Sequence, residues 1–229
     1  KSLDEPWQVH QLGVERWTHR MRFADVLGTG RALLVVSPLN ATVGKGIRLL
    51  AFEIPKAPAK SRWKPTVLSH ELNRVHNHWH VDFDKDGTID TLVASREGVH
   101  LVRRGPGGWT RTKLGSGAKG ANPNQSGAGE IKLGRLAGGA IYIATVEPMH
   151  GTALVVYTSP GKNAAKDSLW QRRVIDSPHP ARIGEPDPCT LQSIHHARSS
   201  LRCRTKRNRK NGPPSSDIVT PGCKCESPS

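Results

Sequence analysis

One theme recurs along the chain and limits what it can fold into. A tryptophan opens a short alternating strand, a linker follows, and further strands come after it. WQVHQL starts at Trp7, WKPTVL at Trp63, WTRTKL at Trp109 and WQRRVI at Trp170, at intervals of 56, 46 and 61 residues. A regular return at this spacing is the mark of a repeat architecture built from one supersecondary unit.

The text between the tryptophans is written for strands. HRMRFADV from His19, ALLVVSPL from Ala32 and GIRLLAFEI from Gly46 form the first set. HWHVDF, TLVAS and GVHLVRR form the second, and EIKLGRL, AIYIATV and ALVVYTS the third. Each run is short, alternating or wholly apolar, β-branched, and bounded by Gly, Pro, Asn or Asp. No sustained 3.6-residue period appears before the C-terminal tail, so helices are expected to be few. The reading is an all-β chain: a partial β-propeller of about three four-stranded blades plus the start of a fourth, with an irregular C-terminal tail. Propellers close with about four to eight blades, and an open stack leaves unpaired edges. The missing blades are therefore expected from the rest of a parent chain or from an oligomer, with the fragment favoured.

From about Ser177 the strand pattern stops. This divides the chain into a propeller fragment, 1–176, and a basic Cys-containing tail, 177–229, expected to be disordered or aberrant. All four cysteines, Cys189, Cys203, Cys223 and Cys225, lie in the tail, with no paired C-x-x-C spacing for zinc. The tail also carries RCRTKRNRK at Arg202–Lys210, and the whole chain has a formal charge of +15. Such charge attracts phosphate, so nucleic-acid binding through the tail is one alternative function. No nucleic-acid motif accompanies it, and a solvated basic surface is preferred. A tail that is not an evolved sequence, as after a frame error, is a third reading. Mean hydropathy is −0.51 and no run of 18 apolar residues exists, so no membrane span is expected. The chain starts at Lys1 with no secretory segment after it, and the reading expects a processed N-terminus.

Asp82–Asp90 reads DFDKDGTID. Carboxylates at alternate positions of a tight loop point at one centre, and hard calcium takes six to eight oxygens. Asp82, Asp84, Asp86 and Asp90, with the Thr88 carbonyl, are the expected calcium ligands, and Gly87 permits the turn. Val93 stands where an EF-hand needs glutamate, and strands flank the loop, so it is not an EF-hand. The plainer alternative is a polar turn capped by aspartates. The first set keeps one carboxylate in the corresponding turn, Asp25, and the third keeps none.

Strand direction gathers a second group. His19 lies six residues before Asp25 and His76 six before Asp82, with Glu130 at the equivalent place in the third set. The second strand returns toward its start, which brings Glu147 and His150 back to the same end. His19, His76, Glu130, Glu147 and His150 are thus expected around one mouth of a central channel, opposite the aspartate turns. His76, His150 and Glu147 are the candidates for acid–base catalysis. His19, His76, Glu130 and His150 are the candidates for a ligand or a second metal, zinc or another divalent ion. His76, His78 and His80 also alternate and are expected to share a face, a further arrangement open to zinc.

DFDKDGTID and the Trp strands resemble the FG-GAP/VCBS propeller family. More narrowly, HRMRFADVLGTGRALLVVSPL, HNHWHVDFDKDGTIDTLVASREGV, GEIKLGRL and EPMHGTALVVYT resemble the propeller domain of aldos-2-ulose dehydratase-like proteins, over about residues 7–176. The broad resemblance implies a calcium-stabilised module whose His/Glu mouth binds a carbohydrate or related small molecule. The narrow one implies a secreted or periplasmic carbon–oxygen lyase. Such an enzyme removes water from a sugar beside a carbonyl, with a metal polarising the carbonyl and a His or Glu taking the α-proton. It also implies another His-bearing strand after Trp170, and this chain departs from that pattern there.

Overall fold

In the computed structural model, residues 4–41, 46–161, 165 and 168–177 are described. The alternating runs pair into three four-stranded antiparallel sheets, each in chain order. The first holds β1 (Thr18–Ala24), β2 (Leu33–Pro38), β3 (Leu49–Phe52) and β4 (Pro65–Ser69). The second holds β5 (Asn77–Val81), β6 (Asp90–Ser95), β7 (Gly98–Gly105) and β8 (Gly108–Gly115). The third holds β9 (Glu130–Arg135), β10 (Ile141–Glu147), β11 (Ala153–Thr158) and β12 (Gln171–Asp176). Among the described residues the one helical element is a 3-10 turn at Pro123–Gln125. This is the all-β, partial-propeller architecture expected from the repeat.

Apolar residues from alternating positions fill the two seams. Val93 and Val102 of the second sheet pack with Val26, Leu33, Val35, Leu49 and Ala51 of the first. Leu92, Ala94, Val99 and Leu101, which point the other way, pack with Ile131, Ile143, Val155 and Tyr157 of the third. β6 is therefore buried along its whole length, which explains why TLVAS shows no polar face. Fully burying a Leu or Ile side chain contributes about 1.5–3 kcal/mol, so these seams are the main source of cohesion. Gly115 lies under the Tyr157 ring, where any Cβ would collide, and the tyrosine uses that space to close the second seam.

The phase of the repeat differs from the expected one. Trp63, Trp109 and Trp170 introduce β4, β8 and β12, the last strand of each sheet. WQRRVI thus completes the third blade by pairing with β11 and does not open a fourth. WQVHQL from Trp7 is not a strand at all, and Trp7 is 82% exposed. A strand exists only where a partner accepts its backbone hydrogen bonds. By the phase of the other three, residues 7–12 would be the last strand of a blade whose earlier strands are not among those described. The tail, including its cysteines and basic run, lies outside the described residues.

The first strand of the second sheet, β5, lies against both β1 and β9, while the last strands β4 and β8 neighbour each other. The first strands are therefore the inner ones, and what they carry at their ends meets across blades.

Candidate functional site

His19 is the extra residue of a β-bulge: Thr18 pairs with Pro38 and Arg20 with Ser37, which leaves His19 between them. Bulges re-aim a side chain, and this one turns the imidazole toward the second blade. His76 precedes β5, and its amide donates to Ala94 O at 3.0 Å, which extends the ladder by one residue. His150 sits in the β10–β11 turn at φ 59°. The three rings meet. His19 and His76 have centroids 4.9 Å apart, and His76 and His150 4.4 Å apart, edge to face. Three segments far apart in sequence thus place imidazoles at one end of the inner strands.

His76 Nδ1 donates to Gly129 O at 2.7 Å. A carbonyl only accepts, so the proton sits on Nδ1 and Nε2 keeps its lone pair. Burial holds the His76 imidazole below its ordinary value. His150 and Arg20 act the same way, against the Gly129 bond and Glu130. Burial likewise lowers His19, helped by Arg20, His76 and His150. His19 Nε2 is buried and has no hydrogen-bond partner.

Glu130 stands beside this group with both oxygens engaged. Asn77 Nδ2 donates to Oε2 at 2.5 Å and Lys132 Nζ donates to Oε1 at 2.6 Å. Arg22 donates to Asn77 Oδ1 at 3.1 Å and His78 O at 2.7 Å. Arg22 and Lys132 both lie over the Trp79 ring, 5.2 and 4.6 Å from its centroid. Asn77, Trp79, Arg22 and Lys132 were not among the residues expected at this end. Polar and charged residues on an inner strand, as in HRMR, were the available signal.

Glu147 does not belong to this group. It is fully buried, and its carboxylate accepts from Thr145 Oγ1 at 2.8 Å, Tyr157 OH at 2.6 Å and Arg172 Nε at 2.7 Å. Burial and this carboxylate push the Tyr157 phenol up, so it stays a donor. The expectation erred because Glu147 ends β10 with its side chain buried, whereas His150 lies exposed in the turn that follows. His76, His78 and His80 do not bring three ligating atoms together. His76 meets His19 and His150, whereas His78 and His80 turn toward the first seam beside Val93. Their rings bond to each other, His78 Nδ1 to His80 Nε2, at 3.0 Å, and His80 Nδ1 meets Thr91 Oγ1 at 2.9 Å. Burial pushes His78 down to about 3, and His80 and the neighbouring His100 to about 4.

At the far end, Asp82 Oδ1 accepts from the Asp86 amide at 3.1 Å and Oδ2 from the Gly87 amide at 3.0 Å. Asp25 does the same in the first blade, accepting from the Thr29 amide at 2.9 Å and the Gly30 amide at 2.6 Å. One aspartate therefore suffices to close this turn, and Asp84, Asp86 and Asp90 are surplus to that closure. Asp82, Asp84 and Asp86 bring one carboxylate oxygen each within 4.8 Å of one another. Among the described residues no other trio of His, Cys, Asp or Glu does so. Asp90 stands apart, bound with Asp84 to Arg103, at 2.8 and 3.1 Å. Burial raises Asp90, against the pull of Arg103, with Asp84 and Asp86 adding to the rise. The Thr88 amide donates to Asp86 Oδ1 at 2.7 Å.

The sequence profile of the family described as aldos-2-ulose dehydratase, beta-propeller domain, matches residues 1–160. The aldos-2-ulose dehydratase of Phanerodontia chrysosporium is 24% identical over 186 residues, covering 76% of this chain. The chain spans 21% of that relative's length.

Proposed function

The chain belongs to the aldos-2-ulose dehydratase β-propeller family, and from that premise we propose that it is the propeller portion of a carbohydrate dehydratase whose sugar is held at the histidine mouth. The observation that supports this most is the convergence of His19, His76 and His150, with the His76 tautomer fixed by Gly129. An unprotonated, depressed imidazole in a fixed orientation is the group that proton abstraction beside a carbonyl requires. In the proposed step His76 Nε2 takes the α-proton. The electron pair of the broken C–H bond passes into an enediolate and then expels the β-hydroxyl. That hydroxyl leaves as water with a proton donated by the second imidazole of the mouth, His150, and a carbon–carbon double bond remains.

The histidine ligating atoms do not meet as a trio, so this chemistry rests on imidazoles and takes no step from zinc. Calcium belongs in the proposal at the other end, held by Asp82, Asp84 and Asp86, with Asp90 and the Thr88 carbonyl as further ligands. Three converging carboxylates, of which only Asp82 closes on the turn's first amides, support this. A bound calcium would relieve their mutual repulsion and stiffen the turn, with an affinity of about 10⁻⁴–10⁻³ M, as in extracellular modules. The FG-GAP/VCBS likeness and a secreted or periplasmic location rest on the same loop and family.

The test is incubation of the chain with an anhydro-keto sugar, following the ultraviolet absorbance of the conjugated ketone formed as water is lost. The expected result is elimination in the wild type and loss of about 100-fold or more in His76→Ala. The absence of both binding and elimination in the wild type would overturn the reading.

A further inference from the structure

The described residues around the mouth carry more positive charge than they neutralise. Lys132 is answered by Glu130. Arg22 meets only neutral acceptors, Asn77 Oδ1 and His78 O. Arg20, half-buried, has no hydrogen bond or ion pair from its guanidinium among the described residues.

Strand alternation places Arg20 on the same side of β1 as Arg22, about 6.6 Å nearer the histidine end at about 3.3 Å per residue. Arg22 on that side reaches β5, so Arg20 faces the end where His76 stands. Its charge is felt there, since it helps lower His19, His76 and His78. A guanidinium pays a desolvation cost for partial burial, and without a partner among the described residues it is placed to meet an oxygen from outside. Its planar fork matches two oxygens on one ligand, as in a carboxylate or an enediolate.

We propose that Arg20 is a specificity-determining residue of the mouth, binding a pair of ligand oxygens that carry or develop negative charge. The inference rests on the dehydratase reading of the same mouth and deepens it. Arg20 holds the two oxygens of the enediolate as it forms beside His76. In the ground state the same contact makes the mouth prefer a sugar acid over a neutral sugar.

The experiment compares gluconate with a neutral anhydro-keto sugar by calorimetry on the full chain, for wild type, Arg20→Gln, Arg20→Lys and His76→Ala. Thermal unfolding confirms that each variant is folded. Gluconate is expected to bind the wild type, and Arg20→Gln to weaken it at least tenfold while moving the neutral sugar less than twofold. Arg20→Lys should recover part of the loss, because it restores charge without the fork. Equal losses for both ligands in Arg20→Gln, or gluconate binding untouched by it, would overturn the assignment. Neutral-sugar binding that depends on His76 while gluconate ignores Arg20 defeats this proposal and leaves the mouth reading standing. Failure of both ligands to bind the wild type defeats both.

Discussion

β5 is a five-residue strand, and the two residues that flank it behave in opposite ways. At one end His76 reaches out of its own blade, touching His19 of the first and His150 and Gly129 of the third. At the other, the Asp82 carboxylate closes on the amides of its own turn. A turn-closing aspartate is a local device, and Asp25 repeats it in the first blade without any cluster. A meeting of three blades is a tertiary product that no single repeat can make. The difference separates the two ends by role: a ligand site built between blades, and a brace built within one.

The largest expected effect comes from the strand between those ends and from β7, the next but one in the same sheet. His78, His80 and His100 are neutral in the fold, with values of about 3, 4 and 4. Unfolded, each takes a proton below pH about 6.5. Their contribution is thus fully present above that pH and is lost as the pH falls toward 4. The thermal midpoint is expected to drop on the order of 10 °C between pH 7 and pH 5. The drop should shrink in His78→Leu; a flat profile in the wild type would contradict the buried assignment.

Next in size is His76→Ala, which should slow elimination from an anhydro-keto sugar about 100-fold, on the scale of a lost catalytic base, and weaken its binding. The thermal midpoint and calcium response should stay near wild type. Coupled loss of sugar and calcium binding would merge the two ends that the comparison separates.

Asp82→Ala removes the acceptor of two amides and is expected to cost about 1–2 kcal/mol in calcium-free urea unfolding. Asp25→Ala should move in the same direction. The double variant Asp84→Asn, Asp86→Asn should leave calcium-free stability unchanged or slightly raised, because it relieves repulsion. It should also abolish a calcium stabilisation of about 1 kcal/mol at 1 mM ion. Retention of that stabilisation would remove the reason given for the surplus carboxylates.

Sequence carried the blades well, because alternation and Gly-bounded turns are local, and each strand needed only its own neighbours to be recognisable. It lost the phase, because nothing in WQRRVI says whether it opens one sheet or closes another; that is decided by which strand is free to pair. The convergence of His19, His76 and His150 was legible from strand direction alone. Glu147 was misplaced because direction gives the end of a strand and not the side: Glu147 ends β10 buried, and His150 lies exposed in the five-residue turn that follows. Alternation groups His76 with His78 and His80 but does not say which rings meet: His78 pairs with His80, and His76 with histidines of the neighbouring blades. Arg20, Asn77 and Trp79 were overlooked because their role depends on facing strands from different blades.

The separation of the ends is tested most directly by the histidine Cε1–H signals of the calcium-loaded chain as an anhydro-keto sugar is titrated in. The account predicts that His19, His76 and His150 shift together and saturate together, while His78, His80 and His100 stay in place. Saturating sugar that leaves the three mouth signals unmoved, or that moves the buried three instead, would contradict it.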